Sequence, residues 1–340
     1  MGMDWADRIG RRVKLRDLHV LLAVIQWGSM AQAARHLSTS QPVISKTIAE
    51  LERALGVRLL DRSPQGIVPT MYGRALMSRG LAIFDELREG IKEIEFLADP
   101  AAGELRVGCP ETMHAGLLPA IMERIASRHP RVVLHVLQAY TVTEEFRELR
   151  DRSVDLMLGR VSRPLDDDLE AEVLYEDRMF IVVAADSTWA RRRKVTLADL
   201  VGEPWVNAPA DSIVGSYLAE VFQAQGLRPP PVSVVSFSMY LRNMLLASGR
   251  YVAVLPGSAL RFSAERFGLR ALPIPLPETR ASVSIVTLKG RTLSPVARVF
   301  AECAREVAKP VARWLRSPAA QPRGTRLRAR RPGAARLASP

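Results

Sequence analysis

The chain has 340 residues, 48% of them hydrophobic, and a formal net charge of +12. That length suits two or three domains, and the apolar content excludes global disorder. No run of about 18 apolar residues occurs, which excludes a transmembrane helix, and early acids without an apolar stretch argue against a secretory signal, so the cytoplasm is the expected compartment.

The charge is uneven. Residues 1–80 carry twelve Lys/Arg against six Asp/Glu, residues 317–340 carry six Arg and no acid, and the rest balances. A basic module beside a neutral body points to a polyanionic partner at that end. Cys109 and Cys303 are too far apart in sequence for a zinc spacing and read as buried, reduced thiols.

Leu18, Leu21, Leu22 and Ile25 recur at helical spacing and predict a helix over 15–27, stopped by Gly28. Ser29 caps a short helix to His36 with Ala33, Ala34 and Leu37 inward. "STSQPV" is a turn, and Pro42 suits the first turn of a third helix that reaches Leu55. Ile44, Ile48, Leu51 and Leu55 make its buried stripe, and Gly56 ends it. Gln41, Ser45, Lys46, Ala49 and Arg53 lie opposite. Two short helices, a tight turn and a polar lysine-bearing outer face describe a helix-turn-helix, whose second helix enters a major groove. "RLLDRSPQGIVPTMYG" reads as a β-wing, with Arg62 placed to reach a minor groove or a phosphate and Thr70 to donate to a phosphate.

"GSMAQAARHL", "SQPVISKTIAELERALGVRLLDR" and "PTMYGRAL" together resemble the N-terminal domain of LysR-type transcriptional regulators. The match runs from Leu18 to Leu76. Leu60 replaces the common Phe, and Met30 the common Phe or Leu after Ser29; both are apolar exchanges. The resemblance implies a winged helix-turn-helix over 15–73 in which Gln41, Pro42, Ser45 and Lys46 face the groove. It further implies that Arg62 is the wing arginine and that Ser29, Ser40 and Thr70 contact phosphate.

Residues 74–99 predict one long helix. Leu76, Gly80, Ile83, Leu87, Gly90, Ile94 and Leu97 alternate steps of four and three, a heptad-type seam. Periodicity alone also permits an ordinary amphipathic helix; the resemblance favours a dimerising linker.

From Gly103 the texture is α/β: "ELRVGC", "VVLHVLQA" and "VDLMLGR" as strands separated by helices, which predicts a parallel sheet with right-handed crossovers. A second series opens with "VLYEDRMFIVVAA". "ASVSIVTLKG" and a long helix close the body, and the Pro/Ala/Arg-rich tail 317–340 is expected to be disordered. The acidic loop at Asp166–Asp168 reads as a solvated linker, and His129, beside Pro130, as solvated. Sequence order alone allows two consecutive domains. The resemblance implies instead a periplasmic-binding-protein-like α/β domain over 103–316. In it, subdomain I takes 103–162 and 280–316, and subdomain II takes 165–277.

Ligands of such sheets bind at the carboxyl ends of strands. Those ends supply Glu111, Thr112 and Met113 from "CPETMHAG", Thr141 after the second strand, Ala208, Asp211 and Ser212 from "NAPADS", and Ser238 from "SFSM". There Thr112, with the amides of Met113 and His114, would hold an anion. Ser212 and Ser238 also suit helix caps. No P-loop, GxGxxG, GxSxG elbow or metal spacing occurs, so no catalytic residue, cofactor or metal is expected. The function implied is a dimeric to tetrameric regulator that binds a palindrome in double-stranded DNA. A small effector, a sugar or an aromatic or organic acid, would tune it, with RNA polymerase as partner. An α/β enzyme, or a cytosolic solute-binding protein with an N-terminal interaction module, is the alternative.

Overall fold

The computed structural model describes residues 13–63, 66–139, 146–162, 164–278 and 281–317. Of the helix expected between the second and third strands, in "TEEFRELRD", the first residues fall outside these, as do the wing tip at Pro64 and Gln65, Thr141, and the tail from residue 318. The chain divides into two compact units, one up to Ile91 and one from Lys92.

The first unit opens with α1 (Leu15–Trp27), α2 (Met30–His36) and α3 (Gln41–Leu55). The boundaries follow local chemistry. Ser29 Oγ accepts from Gln32 N at 3.5 Å and starts α2. Pro42 stands in the first turn of α3, where a missing N–H costs nothing, and Gly56 ends that helix at φ +73°, a conformation other residues reach only under strain. Leu21, Val24, Ala33, Ile44, Ile48 and Leu51 are at most 1% exposed and form one core. β1 (Leu60–Ser63) and β2 (Gly66–Pro69) pair antiparallel, with Arg62 opposite Ile67. The root of this hairpin is tied to α3, because Glu52 Oε1 accepts from Leu59 N at 2.7 Å and Leu60 N at 3.3 Å.

A single helix, α4, then runs 28 residues from Met71 to Ala98, roughly 42 Å at 1.5 Å per residue. At its first turn Gly73 sits against β1: a Cβ there would lie 2.0 Å from Leu59 O.

The second unit holds two lobes. The first is a five-stranded sheet in the order β4 (Arg131–Gln138), β3 (Ala102–Cys109), β5 (Leu156–Ser162), β12 (Ala281–Leu288), β6 (Leu169–Glu176). β3 runs parallel to β4 and β5, but β12 is antiparallel to both β5 and β6, so the sheet is mixed rather than parallel. The helices α5 (Glu111–His114), α6 (Leu117–Arg128) and α11 (Pro295–Arg316) belong to this lobe, with the short α7 (Arg147–Arg150) between β4 and β5. The second lobe contains the antiparallel trio β10 (Ala253–Pro256), β7 (Met179–Ala184), β11 (Leu269–Ala271) and the parallel pair β8 (Trp205–Asn207), β9 (Val232–Val235). Its helices are α8 (Ile213–Gln223), α9 (Met239–Ala247) and α10 (Gly257–Phe267).

Two readings of the sequence are corrected here. "VLYEDRMFIVVAA" is not one element: β6 pairs with β12 in the first sheet, and β7 begins the second lobe after the turn at Asp177. The first crossing between lobes therefore falls near Asp177 and not at residue 165. The run conceals this because the end of β6 within it, Val173-Leu174-Tyr175, is as apolar as β7, and only the Glu-Asp-Arg between them marks the change. The acidic loop is also pinned: Arg150 Nε donates to Asp168 Oδ2 at 2.8 Å, and its Nη2 reaches Asp166.

Buried residues of both lobes meet in one core, where Leu105, Leu158 and Val283 from the first sheet join Val182 and Leu255 from the second. Cys109 and Cys303 are buried and free, and burial pushes the Cys109 thiol up to about 12, so neither is a ready nucleophile.

Candidate nucleic-acid interface and interlobe site

The outer face of α3 is set by its buried stripe. With Ile44, Ile48 and Leu51 inward, Gln41, Pro42, Lys46, Ala49 and Arg53 are exposed and Ser45 is half-buried. Ser40 caps α3 by position, yet its side chain makes no capping bond, so the hydroxyl and the first amides of the helix face outward unsatisfied. Lys46 makes only a loose pair with Glu50 at 3.9 Å, worth little at this exposure. Gln32 and Arg35 on α2 are exposed as well, as is Arg62 on β1. The half-buried Ser29 caps α2 as an acceptor, which leaves its proton available.

Thr70 differs. Its hydroxyl donates to Arg58 O at 2.8 Å and accepts from Gly73 N at 3.1 Å, so both capacities fasten the start of α4 to the loop before β1. A donation from this hydroxyl to a phosphate would have to replace its bond to Arg58 O.

The predicted effector residues scatter more. Glu111 crosses between lobes: its Oε1 accepts from Met239 N at 2.8 Å, Ser238 Oγ at 3.2 Å and Tyr240 N at 3.5 Å, capping α9 from 127 residues away. A carboxylate at a helix N-terminus is where the helix dipole favours it. An acidic ligand at that terminus would compete with a resident acid. Ser238 caps the same helix by accepting from Leu241 N at 3.3 Å.

Thr112 is buried, and its hydroxyl accepts from Arg160 Nη1 at 3.0 Å. Met113 is fully buried in the core, and its amide donates to Pro110 O at 2.8 Å. The anion cradle expected from the Met113 amide is therefore not formed. Ser212 also proves to be a cap: Oγ accepts from Gly215 N at 3.0 Å and donates to Pro209 O at 2.7 Å. Ala208 is buried and Asp211 is exposed beside them.

Sequence reasoning missed the groups behind this seam. Arg160 and Asp177, both buried, form an ion pair between the lobes, and Ser258 completes it by accepting from Arg160 Nη2 at 2.8 Å and donating to Asp177 Oδ2 at 2.7 Å. Arg242 is 1% exposed with Nε and Nη1 unpaired. Burial lowers its guanidinium to about 10, with Glu111 opposing the fall, so it stays charged near pH 7. Asn207, at the end of β8, gives Nδ2 to Gly215 O at 3.3 Å, while its buried Oδ1 has no partner. One signal was present in the sequence: Arg160 follows directly on the apolar run Leu156-Met157-Leu158-Gly159 inside β5. His129 is half-buried, and its Nδ1 lies 2.8 Å from Pro100 O, so it is a packed cap and not a solvated side chain.

A third cluster gathers at Asp155, just before β5. Asp155, 2% exposed, accepts from Arg106 N at 2.8 Å, Arg106 Nη2 at 2.7 Å, Arg291 Nη2 at 3.0 Å and Lys92 Nζ at 3.2 Å. Burial alone would raise this carboxyl. The hydrogen bonds from Arg106 and the charges of Lys92 and Arg106 outweigh it and hold Asp155 well below the usual carboxylate range.

Residues 15–74 match the bacterial regulatory helix-turn-helix protein, lysR family, and residues 98–309 match the LysR substrate binding domain. The chain belongs to the LysR family. The uncharacterized HTH-type transcriptional regulator YdcI of Escherichia coli (strain K12) is 28% identical over 295 residues, 86% of this chain and 95% of that protein. The SDS degradation transcriptional activation protein of Pseudomonas sp. (strain ATCC 19151) is 29% identical over 297 residues, 84% and 94% respectively. Full-length OxyR C199D from Pseudomonas aeruginosa has the same fold, with a TM-score of 0.63 at 22% identity, covering 88% of this chain and 97% of that one. This LysR-family chain is a DNA-binding transcriptional regulator, and its relatives are regulators, not enzymes. Among the described residues no helix is long and apolar enough to cross a membrane.

Proposed function

We propose that this LysR-type regulator reads a palindromic promoter site with α3, whose Gln41, Pro42, Ser45 and Lys46 face base edges. Arg62 takes a minor groove or phosphate, and Ser29 and Ser40 take phosphates. The observation that carries this reading is the uncapped, outward N-terminus of α3, where free amides, a free hydroxyl and exposed polar side chains converge. Footprinting of the full chain on its own promoter region tests it. A protected palindrome supports the assignment, and unchanged operator selection by Gln41→Ala overturns it.

Homodimers, and homotetramers built from them, form through α4. In support, Ile83, Leu87, Ile91, Ile94 and Leu97 are 41–75% exposed along it. A small effector binds between the lobes at the strand ends, near Thr112, Ala208, Asp211, Ser212 and Ser238, with Glu111 as the group it must displace or accept. The orphan Oδ1 of Asn207 supports a hydrogen-bonding ligand there. A neutral, hydroxyl-rich molecule such as a sugar meets Glu111 more easily than an aromatic or organic acid does; a thermal-shift screen of both classes decides, because a ligand that binds the native state raises its melting point. RNA polymerase is the further partner an activator needs, and the cytoplasm is where such a protein meets its DNA.

A further inference from the structure

The α/β body is balanced in charge as a whole but not everywhere. Residues 191–194 read Arg-Arg-Arg-Lys, and no acid occurs from Ser187 to Ala198. All four side chains are exposed. They stand on the segment after β7, between Ala190 and Val195, which are each 6% exposed and belong to the core of the second lobe. The segment is pinned at both ends. Ser187 Oγ accepts from Ala190 N at 3.2 Å, and Asp199 Oδ2 accepts from Thr196 N at 2.8 Å and from Thr196 Oγ1 at 2.7 Å.

One of the four cations has a place in the fold: Arg192 lies over the Trp189 ring, 4.1 Å from its centroid. The side chains of Arg191, Arg193 and Lys194 have no ion-pair or hydrogen-bond partner among the described residues. Like charges displayed side by side repel one another, and a bound polyanion relieves that repulsion. The surroundings favour one kind of polyanion. No large apolar side chain is exposed between Val173 and Val235. A stable protein interface has an apolar or aromatic centre inside its polar rim, and an acidic protein finds none here. A phosphate backbone needs none, because charge and the forked donors of arginine suffice to hold it. The chain is a DNA-binding regulator, so a duplex held by its helix-turn-helix is the polyanion present at high effective concentration.

We propose that Arg191, Arg193 and Lys194 form a second DNA contact, carried by the effector-binding unit, that takes backbone phosphates of the duplex flanking the site read by α3. The contact is independent of base sequence. It rests on DNA binding by the chain and needs neither the palindrome nor the effector cleft.

Filter binding of the full chain to a random-sequence duplex of about 60 base pairs, roughly 200 Å of backbone, tests it over a salt series. The variant Arg191→Gln/Arg193→Gln/Lys194→Gln leaves Arg192 on Trp189. It is expected to bind at least about tenfold more weakly at about 0.1 M salt, with a log–log salt slope smaller by about 1–3 per protomer. Lys309→Gln/Arg313→Gln/Arg316→Gln removes the same charge from exposed positions on α11 and is expected to change affinity less than about threefold. Contact is read directly from a photo-crosslinker on Thr188→Cys, an exposed position in the same segment; the native Cys109 and Cys303 are buried. Irradiation is expected to join it to the duplex, and polyglutamate at equal charge is expected to leave that adduct in place. The proposal is overturned if the first variant keeps wild-type affinity and slope, if the α11 variant loses as much, or if no duplex adduct forms at position 188. It is also overturned if polyglutamate displaces the duplex there, since the partner is then an acidic protein.

Discussion

At the scale of single residues, the surface of α3 and the interior of the second unit make different demands. Gln41 and Lys46 touch nothing that holds the fold. Gln41→Ala is expected to leave thermal stability within about 0.5 kcal/mol while costing about 1–3 kcal/mol of discrimination at one base position, measured by competition between operator variants. Arg62→Ala lowers affinity across all sequences alike, because contacts to backbone carry no base information. Asp155 is the opposite case. Asp155→Asn strips the partner from three cations and is expected to cost about 3–5 kcal/mol in denaturant unfolding. The pH dependence follows from its lowered carboxyl. The stability it contributes is complete above the ordinary carboxylate value of about 4 and is lost as pH falls through the lower folded value. The wild type therefore loses stability on acidification more steeply than Asp155→Asn does. Much at this scale was legible: Gly28, Gly56, Ser29 and Pro42 announced their helix ends because capping is local chemistry. The Glu111–Ser238 contact was not, since no local rule joins residues 127 apart.

At the scale of elements, α4 carries the largest exposed apolar seam of the first unit's helices. Its predicted seam lies open along the chain, from Ile83 at 41% to Leu97 at 75% exposed, and burying such side chains against a symmetry mate is worth about 1.5–3 kcal/mol each. Ile94→Glu is expected to raise the dimer dissociation constant by at least about tenfold. Sedimentation reads this out, and an unshifted dimer at the same concentration removes α4 from the interface. At the other end of the helix, Gly73→Ala forces a methyl against Leu59 O and is expected to cost about 1–3 kcal/mol, seen as a lower melting temperature. The helical periodicities in the first unit were readable because each helix is amphipathic and short. The β6–β7 boundary was not, because the apolar end of β6 runs almost directly into apolar β7, and which sheet each joins shows only once their partners are known.

At the scale of the whole molecule, charge and connection matter more than any one contact. Residues 1–80 hold an excess of six positive charges, so affinity for operator is expected to fall linearly on a log–log plot against salt. A filter-binding series from low to high salt reads the slope, and a flat line would deny that phosphate contacts dominate. The mixed first sheet and the early crossing at Asp177 could not be read from the order of strands, because β12 returns from the end of the body to lie between two strands made more than a hundred residues earlier.

Lys92 stands on the last turns of the helix that leaves the reading module, and its ammonium is held by the carboxylate on which Arg106 and Arg291 also converge. The end of that helix is thus anchored within the second unit. A lesion such as Lys92→Met would leave a protein that still finds its promoter but no longer reports what its ligand pocket holds, and genetic screens for uninducible alleles should return to this handful of positions.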